Sequence, residues 1–476
     1  FHHFQELNDG KPTLIRSLDF RYFNSNNPAR ERETELEFLE HIYQTSYVWD
    51  AANGRYRKRS LPPMRFEYQP LAWNHEVKTV SQEHLMHAPV GLSGGYQFTD
   101  LYNEGISGIL SEQGNGWHYK HNLGDLAQDG LVAFAPARLV APKPSFAGLG
   151  SVLQLQDLDA DGGKQIVVSA EGIQGYFELN EDNRWENFRV FDHYAQVDLR
   201  DPNVRLLDLN GDGRPEIVLT EENAFRWWPN KGRAGYEADE RTFKPFDEEL
   251  GPAIVFSDPE QRIFLADMSG DGLTDIVRIR NGEVCYWPNL GYGHFGRKVT
   301  MGNAPWFDAQ DMFNPAYLQL ADISGTGASD LIYLGQNRFR AWLNLGGNRW
   351  GQAETIDPFL PTALPRQITV TDLLGQGTGC LVWSSELPGE TQAPMRYMDL
   401  MSGKKPHIMT AYHNNMGKSV RMEYRSSTWY YLKDKKAGKP WITKLPFPVQ
   451  VVYKNTVEDK WRDTRFSNTY SYHHGY

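Results

Sequence analysis

Short apolar runs recur along most of the chain, and each is bounded by glycine, asparagine or aspartate. Between residues 317 and 356 such runs predict four strands, because turn residues separate them. These predicted strands are Tyr317–Asp322, Asp330–Leu334, Phe339–Leu343 and Trp350–Ile356. The runs are continuous instead of strictly alternating, which is typical of strands that are buried on both faces. The pattern therefore predicts four-stranded units that pack against similar units.

A nine-residue turn, Asp208-Leu-Asn-Gly-Asp-Gly-Arg-Pro-Glu216, runs directly into an apolar segment and recurs elsewhere in the chain. The leading aspartates of successive copies are 57, 51, 59, 55 and 50 residues apart. Three further copies are Asp157–Gln165, Asp267–Asp275 and Asp322–Asp330, and two worn copies are Asp100–Gly108 and Asp372–Cys380. Such a period is slightly longer than that of common propeller blades.

A second landmark supports the same period. In four copies an asparagine of an Asn-x-Gly sequence follows 22 residues after the leading aspartate: Asn122, Asn230, Asn289 and Asn344. Three of these are preceded two residues earlier by a tryptophan, at Trp228, Trp287 and Trp342. Six copies of four strands predict an all-β fold with a six-bladed β-propeller, in which ring closure removes exposed sheet edges.

The period is confined to residues 91–395, which we assign to the propeller, with β-rich flanking segments at 1–90 and 396–476. In the first flank, Leu14–Phe23 is predicted as a strand and Asn53-Gly54 as a two-residue hairpin turn. Residues 29–44 fit either a helix or a strand, and the hairpin that follows favours a strand. Further strands are predicted at Met64–Gln69, Met395–Met401, Ser419–Tyr424, Trp429–Leu432 and Val449–Tyr453.

Composition excludes some classes of partner. The chain has 49 Lys and Arg against 60 Asp and Glu, a formal charge of −11, which disfavours nucleic acid. No apolar run approaches the roughly 18 residues that span a bilayer, so no direct membrane insertion is expected.

The chain begins at Phe1 without Met and is expected to be an excised piece of a longer protein. The basic run Lys433–Lys439 is expected to be merely solvated.

The remaining candidate groups have plainer interpretations. Cys285 and Cys380 are predicted to be buried thiols in different blades, because two cysteines give no disulfide framework. The repeated tryptophans could stack on sugars, but packing between blades is favoured. The pairs His84/His87 and His118/His121 lack a third metal ligand and are expected to be structural.

The turns are candidate calcium sites, because oxygen ligands alternate around a glycine as they do in calcium loops. The fullest ligand set is Asp208, Asn210, Asp212 and Glu216, and the second is Asp267, Ser269, Asp271 and Asp275. The copy with Asp157, Asp159 and Asp161 lacks a closing carboxylate, because Gln165 takes its place. Side-chain to backbone hydrogen bonds could hold such turns without metal, so no cofactor is required.

No catalytic motif is present in the sequence. A His-Glu-x-x-His sequence and a phosphate-binding loop are missing, and Gly91–Gly95 matches a Gly-x-Ser-x-Gly elbow only in its letters, because a chain predicted as all-β lacks the strand-to-helix turn that the elbow needs. The repeated acids cannot nominate one acid and base pair, since they recur in every blade. We therefore expect a protein without enzymatic activity.

The repeats resemble FG-GAP/VCBS-type propeller blades. Together with Ser60–Tyr68 before them and Ser467–Tyr476 after them, they resemble the B component of the Tc (ABC) insecticidal toxin complexes, which is similar in its first part to the virulence-plasmid B protein. The resemblance covers essentially the whole chain. It implies a propeller whose flanks lead into an Rhs/YD-repeat shell.

The resemblance also implies partners. In the family the B component joins a C component, an Rhs-type toxin, in a hollow shell that holds the toxic enzyme. The propeller binds the pentameric A component and opens as a gate into its translocation channel, within a secreted complex. The expected function is docking and gating, and a glycan-binding, lectin-like propeller is the alternative. Thr326, Gln376 and Cys380 replace ligands in two copies, so contacts at residues 322–395 are expected to be the least stable.

Overall fold

The computed structural model describes residues 11–23, 37–88, 96–114, 116–126, 130–140, 153–170, 173–180, 184–260, 262–336, 338–357, 367–385, 387–390 and 392–475. The chain divides into two compact units. The first comprises residues 1–72, 405–425 and 450–472, and the second comprises residues 73–404, 426–449 and 473–476.

The second unit is the propeller. Its described residues form six antiparallel four-stranded sheets, here numbered blades 1 to 6. Their strands are Tyr96–Thr99, Gly108–Gln113, Gly116–Lys120 and Arg138–Val140 in blade 1; Leu153–Gln156, Gln165–Ala170, Ile173–Phe177 and Arg189–Val190 in blade 2; Val204–Leu207, Glu216–Thr220, Ala224–Trp228 and Glu240–Phe243 in blade 3; Ile263–Ala266, Asp275–Arg280, Glu283–Trp287 and Val299–Thr300 in blade 4; Leu318–Ala321, Asp330–Leu334, Phe339–Trp342 and Glu354–Ile356 in blade 5; Ile368–Thr371, Cys380–Ser384, Met395–Asp399 and Val77–Thr79 in blade 6. The predicted six-bladed fold is confirmed.

The last blade takes its fourth strand from the other end of the unit. Val77–Thr79 pairs with Met395–Asp399, in the register Lys78 to Tyr397. The assigned propeller range, 91–395, therefore differs from the compact unit, which begins at residue 73 and continues to 404. The sequence gives no period at 77–79, because this strand belongs to a copy whose turn lies almost 300 residues later.

Apolar side chains fill the space between neighbouring blades. Blades 4 and 5 share one cluster that includes Val277, Tyr333 and Trp350, and blades 6 and 1 share another that includes Ile109 and Tyr397. The side chains of the repeated tryptophans are almost fully covered, with Trp228 2%, Trp287 0% and Trp342 4% exposed. The predicted packing role of these tryptophans is confirmed, and burial of such large rings is a major stabilising contribution.

The first unit contains an eight-stranded sheet. Its strands are Arg16–Tyr22, Leu39–Asp50, Arg55–Ser60, Met64–Tyr68, Met409–His413, Lys418–Ser426, Gln450–Asp459 and Thr464–Thr469. Residues 39–44 are a strand, as favoured from sequence, whereas 24–36 lie outside the described residues. The predicted two-residue hairpin turn is wrong: Asp50 pairs with Arg55, so the connection has the four residues 51–54.

Two α-helices, Gln82–Leu85 and Ser427–Lys436, occur among the described residues of the propeller unit. Short 3₁₀ turns lie at Gly232–Ala234, Pro315–Tyr317 and Pro388–Glu390, and a small hairpin pairs Asn289–Gly291 with His294–Phe295. None of the described helices is long and apolar enough to span a membrane.

The strand predicted at Trp429–Leu432 is wrong, because these residues lie in the helix Ser427–Lys436. The Ser426 hydroxyl accepts a hydrogen bond from the Trp429 amide and caps the first turn. Three lysines follow in the last turn, where positive charge is favourable. The helix therefore begins and ends at recognisable signals, although its aromatic residues have high strand propensity.

The recurring asparagines join the blades. The Asn122 amide donates to the Leu373 carbonyl of blade 6, the Asn289 amide to Asp208 of blade 3, and the Asn344 amide to Met268 of blade 4, at 2.9, 3.4 and 2.8 Å. Their side-chain oxygens accept from the following glycines. Asn230 donates within its own blade, to Pro215. The landmark predicted from spacing is therefore largely a contact between blades.

Leucine replaces this asparagine in two blades. Ile166 pairs with Phe177 in blade 2, which places Leu179 at the equivalent position. Cys380 pairs with Asp399 in blade 6, which places Leu400 there. A leucine side chain cannot form the hydrogen bond to the preceding blade. The junctions of blades 1 and 2 and of blades 5 and 6 therefore lack this contact, as does the junction of blades 2 and 3, where Asn230 bonds within blade 3.

Asn344→Leu gives blade 5 the leucine that blades 2 and 6 have at the equivalent position, Leu179 and Leu400. We expect Asn344→Leu to lower the free energy of unfolding by about 1–3 kcal/mol, because the buried Met268 and Ser329 carbonyls lose their donor. Urea denaturation followed by tryptophan fluorescence measures the change. The matched control is Asn348→Leu. Asn348 is exposed, and its side-chain amide donates only to the Gly346 carbonyl of its own turn. Equal stability of Asn344→Leu and the wild-type chain would contradict this role.

Candidate functional site: the turn face of the propeller

All six nine-residue turns connect the first and second strands of a blade, so they lie at one end of the propeller, here called the turn face. In every copy the second carboxylate oxygen of the leading aspartate accepts a hydrogen bond from the glycine five residues later. The acceptors and donors are Asp100 and Gly105, Asp157 and Gly162, Asp208 and Gly213, Asp267 and Gly272, Asp322 and Gly327, and Asp372 and Gly377, at 2.6 to 2.8 Å. These glycines have positive φ, which side chains disfavour. The contact explains why both residues recur.

The ninth residue fastens the turn to its blade. Glu216 accepts from the Leu209 amide at 2.8 Å, and the amide group of Gln165 makes the same contact with Leu158 in blade 2. Asp275 accepts from Met268 and Asn289, and Asp330 accepts from Ile323 and Asn344. In blades 4 and 5 the ninth residue thus links the turn to the end of the third strand.

Burial of these carboxylates is unfavourable for their ionised form. Desolvation raises the pKa of Glu216 to about 7, and nearby Asp212 and Asp208 add to the effect. Desolvation likewise raises the pKa of Asp275 to about 6 and that of Asp330 to about 7. The turn face therefore carries acids that take up protons near neutral pH.

The two predicted calcium sets already have partners within the chain. In the fuller set, the side-chain oxygens of Asn210 and Asp212 accept from the amides of Asp212 and Arg214, at 2.9 Å each. In the second set, Asp271 accepts from Leu273 at 2.9 Å, and the Asp267 carboxylate accepts from Gly270 and Gly272. The structure brings each set to one turn, but as acceptors for backbone amides. Ser269 lies exposed in the same turn.

Three acidic side chains approach one another more closely in blade 2. Among the described residues, Asp157, Asp159 and Asp161 form the one group of three whose oxygens lie within 4.8 Å of one another. The guanidinium of Arg233 contacts two of them, at 2.7 Å from Asp159 and 3.7 Å from Asp161. The guanidinium of Arg233 therefore already supplies positive charge to this group of carboxylates.

The copies that have lost ligands make the fit of calcium weaker. Thr326 and Gln376 replace acidic residues, yet the turns of blades 5 and 6 keep the same bond from aspartate to glycine. A turn that forms without the ligand set does not need the ion for its shape. Calcium binding by the turns with Asp208 and Asp267 stays a prediction.

A buried group of charges lies on the turn of blade 1, and the sequence did not reveal it. Glu104 is 5% exposed and accepts from His121 Nδ1 at 2.9 Å and from the Tyr431 hydroxyl at 2.9 Å. Lys435 Nζ also pairs with the Glu104 carboxylate. Burial alone would raise the pKa of Glu104, but the bond and charge of His121 and those of Lys435 outweigh it and lower the pKa to about 2.

The predicted structural role of His121 agrees with this geometry, since its ring also stacks on Tyr102 at 4.9 Å. The prediction for the basic run is wrong at Lys435, which is paired instead of merely solvated. Both cysteines are buried free thiols, as predicted, and burial raises the pKa of each.

A cavity of about 590 Å³ opens beside this charged group. Tyr102 and Asn103 of blade 1, residues 161–165 and 178–180 of blade 2, and residues 442–444 line it. Its acids are engaged elsewhere: Arg233 pairs with both Asp161 and Glu178. Lys444 donates to the Tyr102 carbonyl at 2.9 Å. This arrangement favours attachment of residues 442–444 to blade 1, with no group placed as a nucleophile or general base.

The elevated pKa of Glu216 predicts how stability depends on pH. A folded pKa near 7, above the unfolded value near 4.5, contributes stability at low pH that is lost as pH rises through 7. Glu216→Gln keeps the acceptor, as Gln165 shows, and should remove this loss. We expect the variant to be more stable than the wild-type chain at pH 8 and similar at pH 4, measured by thermal unfolding at both values. A variant that is less stable at pH 8 would contradict the prediction.

Chelation tests the role of the turns directly. We expect the melting temperature of the chain to be the same with calcium and with a chelator, because backbone amides already satisfy the aspartates. The matched variants are Asp208→Asn in the fullest turn and Asp322→Asn in a turn that has Thr326 in place of an acidic residue, and each is melted under both conditions. A melting temperature that rises with calcium, and does so no longer in Asp208→Asn alone, would support a calcium site.

Comparisons with known proteins agree with the fold. Residues 347–476 match the family described as insecticide toxin TcdB middle/N-terminal region, and residues 208–278 match the FG-GAP-like repeat. No curated protein matches the sequence at a significant level.

Solved structures of Tc toxins share this fold. A chain of the Photorhabdus luminescens Tc holotoxin pore is 27% identical, with a TM-score of 0.78 over 96% of this chain and 20% of that one. Chains of the TcdB2-TccC3-Cdc42 and TcdB2-TccC3 crystal structures are each 24% identical over 99% of this chain, with TM-scores of 0.67 and 0.65 and coverages of 21% and 22% of those chains. This chain thus spans about a fifth of their length. The predicted resemblance is confirmed: the chain is a β-propeller segment similar to the B proteins of Tc toxins.

Proposed function

We propose that this chain is the non-enzymatic docking and gating module of a secreted Tc-type toxin. It binds the pentameric A component and opens to pass a toxic enzyme from the shell that the B and C components form. The observation that carries the proposal is a closed ring of six blades in a chain that resembles Tc toxin B proteins. A closed ring can serve as a gate only if one of its junctions separates.

The chemistry of the turn face supports a role without catalysis. Its repeated acids accept hydrogen bonds from backbone amides, and the buried Glu104 is paired with Lys435 and His121. Side chains committed in this way hold the turns in shape. They offer no acid and base pair poised around a substrate.

The unequal junctions support a role in gating. Asparagines connect blades 6 and 1, 3 and 4, and 4 and 5, whereas Leu400 stands at the junction of blades 5 and 6. Blade 6 also has Cys380 at the ninth residue, where blades 2 to 5 have the polar side chains of Gln165, Glu216, Asp275 and Asp330. Burial also raises the pKa of Asp372 in this turn to about 6. The hypothesis of weak contacts at residues 322–395 therefore has a physical basis at this junction.

The lectin-like alternative relied on the repeated tryptophans as a platform for sugars. Trp228, Trp287 and Trp342 are buried between blades, so their rings are not available for stacking. Loss of glycan binding in Trp228→Ala would therefore reflect disruption of the core. The geometry favours docking over sugar recognition.

Docking is tested with the intact chain immobilised against a purified A component. We expect binding with nanomolar affinity, unchanged by a chelator, measured by biolayer interferometry. An A component from an unrelated toxin is the control for specificity. A folded chain that does not bind would contradict the docking proposal, and specific binding on a glycan array would then favour the lectin-like alternative.

Hydrogen exchange tests the gating hypothesis on the chain alone. We expect the amides of Ile368–Thr371 and Cys380–Ser384 to exchange at least about tenfold faster than those of Ile263–Ala266 and Asp275–Arg280 in blade 4, because asparagines join blade 4 to both of its neighbours and the junction of blades 5 and 6 lacks its asparagine. Mass spectrometry of peptic peptides measures both sets in one sample. Equal protection of the two blades would count against a weak junction.

A further inference from the structure

The helix Ser427–Lys436 crosses the junction at which the ring closes. Its capping residue Ser426 donates from its hydroxyl to the Gly375 carbonyl of blade 6 at 2.5 Å. Two residues later, the Thr428 hydroxyl donates to the Gly105 carbonyl of blade 1 at 3.4 Å. One turn of helix therefore contacts the nine-residue turns of both the last and the first blade.

Close packing supports this contact. A β-carbon added to Gly375 would lie 2.9 Å from the Thr428 methyl group, and one added to Gly124 would lie 2.9 Å from Leu432. Both glycines have positive φ. The glycines thus let the helix approach the backbone of blades 6 and 1. Tyr430, Tyr431 and Leu432 are buried as a result.

The other end of the helix is held by charge. Lys435 Nζ pairs with the Glu104 carboxylate, and the Tyr431 hydroxyl donates to the same carboxylate oxygen at 2.9 Å. Glu104 is the fifth residue of its turn, where the acidic copies have Asp161, Asp212 and Asp271, all of them exposed. The longer side chain of Glu104 instead lies buried against His121. The turn of blade 1 therefore departs from the repeat at the residue that contacts the helix.

The ends of the helical segment are also tied together. The Ser427 amide donates to the Val449 carbonyl at 2.8 Å, and the Val449 amide donates to the Ser427 hydroxyl at 3.0 Å. Beyond the helix, Trp441 Nε1 donates to Asp434 at 2.7 Å, and His473 contacts the same carboxylate at 2.8 Å. Hydrogen bonds between its two ends therefore hold the segment 426–449 as a closed loop.

We propose that the segment 426–449 is a latch across the junction of blades 6 and 1, and that Glu104 is the residue that holds it. Breaking the contacts of Glu104 frees the helix and loosens this junction before the others. As a fastener of the ring, the latch is independent of the proposed function. As a control of opening, it rests on the proposed gating role, because release of the latch then lowers the cost of opening.

The test compares hydrogen exchange of the intact chain in Lys435→Met and in its matched control Lys436→Met. Both remove a lysine from the last helical turn, but Lys436 is exposed. We expect Lys435→Met to raise exchange at least about tenfold in the helix, in Gly108–Gln113 and in Cys380–Ser384, and to leave Glu216–Thr220 and Asp275–Arg280 unchanged. Lys436→Met should resemble the wild-type chain. Identical exchange in both variants, or a uniform rise in every blade, would overturn the proposal.

Two further variants separate the latch from general loss of stability. Thr428→Val has nearly the same volume and loses only the hydroxyl that donates to Gly105, so we expect a smaller rise confined to the same strands. Glu104→Gln combined with Lys435→Met should raise exchange no more than the larger single change, because both remove one shared contact. Additive effects, or a Thr428→Val variant with wild-type exchange at the junction, would count against the latch.

Binding to the A component distinguishes the two proposals. Failure of the wild-type chain to bind would reject docking and leave the exchange results standing. If the wild-type chain binds, we expect Lys435→Met to bind more tightly than Lys436→Met, because a ligand of the open state gains affinity when opening costs less. Equal affinities would reject the latch as a control of opening.

Discussion

The hydrogen bond from a glycine amide to the leading aspartate of each turn is the contact on which the propeller depends. It recurs in all six blades and fixes the reversal between the first and second strands. Because that reversal is fixed, the ninth residue is held where it can reach the second residue of the turn. In blades 4 and 5 it also reaches the asparagine that ends the third strand. The asparagine in turn contacts the preceding blade, so a local turn is converted into a connection around the ring.

Burying the side chain of the ninth residue costs free energy of desolvation, and this cost varies among the blades. A buried carboxylate at the ninth position makes strong hydrogen bonds but is desolvated, as the raised pKa values of Asp275 and Asp330 show. Blade 2 avoids the charge with Gln165, and blade 6 replaces the carboxylate with the thiol of Cys380, which faces the Leu373 and Leu374 amides. The ring is therefore uneven in strength. A gate needs such unevenness, because a ring of identical junctions has no preferred place to open.

The repeat made most of the propeller predictable from sequence. The second strand of blade 5 was predicted with its observed bounds, Asp330–Leu334, because turn residues flank an apolar run on both sides. The strand Val77–Thr79 was not predicted within the propeller, since its pairing with Met395–Asp399 leaves no local signal. The sequence predicts a strand at Trp429–Leu432 within the helix Ser427–Lys436, because aromatic residues favour strands more strongly than Ser426 and the terminal lysines indicate a helix.

The candidate site was only partly predictable for a similar reason. The acids of the turns were found from their spacing, but spacing cannot distinguish a metal ligand from an acceptor for backbone amides. Glu104 lies in a worn copy of the turn, where the pattern assigns it no particular role. Its partners Tyr431 and Lys435 lie more than 320 residues away in the chain. Contacts of this range depend on the packing of whole elements, which no local pattern reports.

The structure of this chain bound to a pentameric A component, determined by electron cryomicroscopy, tests the account most directly. The account predicts a ring that has separated beside blade 6, at its junction with blade 5 where leucine stands or at its junction with blade 1 where the latch crosses, with the bonds from aspartate to glycine intact within every blade. A bound ring that stays closed would contradict the gating account. So would a ring that parts between blades 4 and 5, where Asn344 spans the junction.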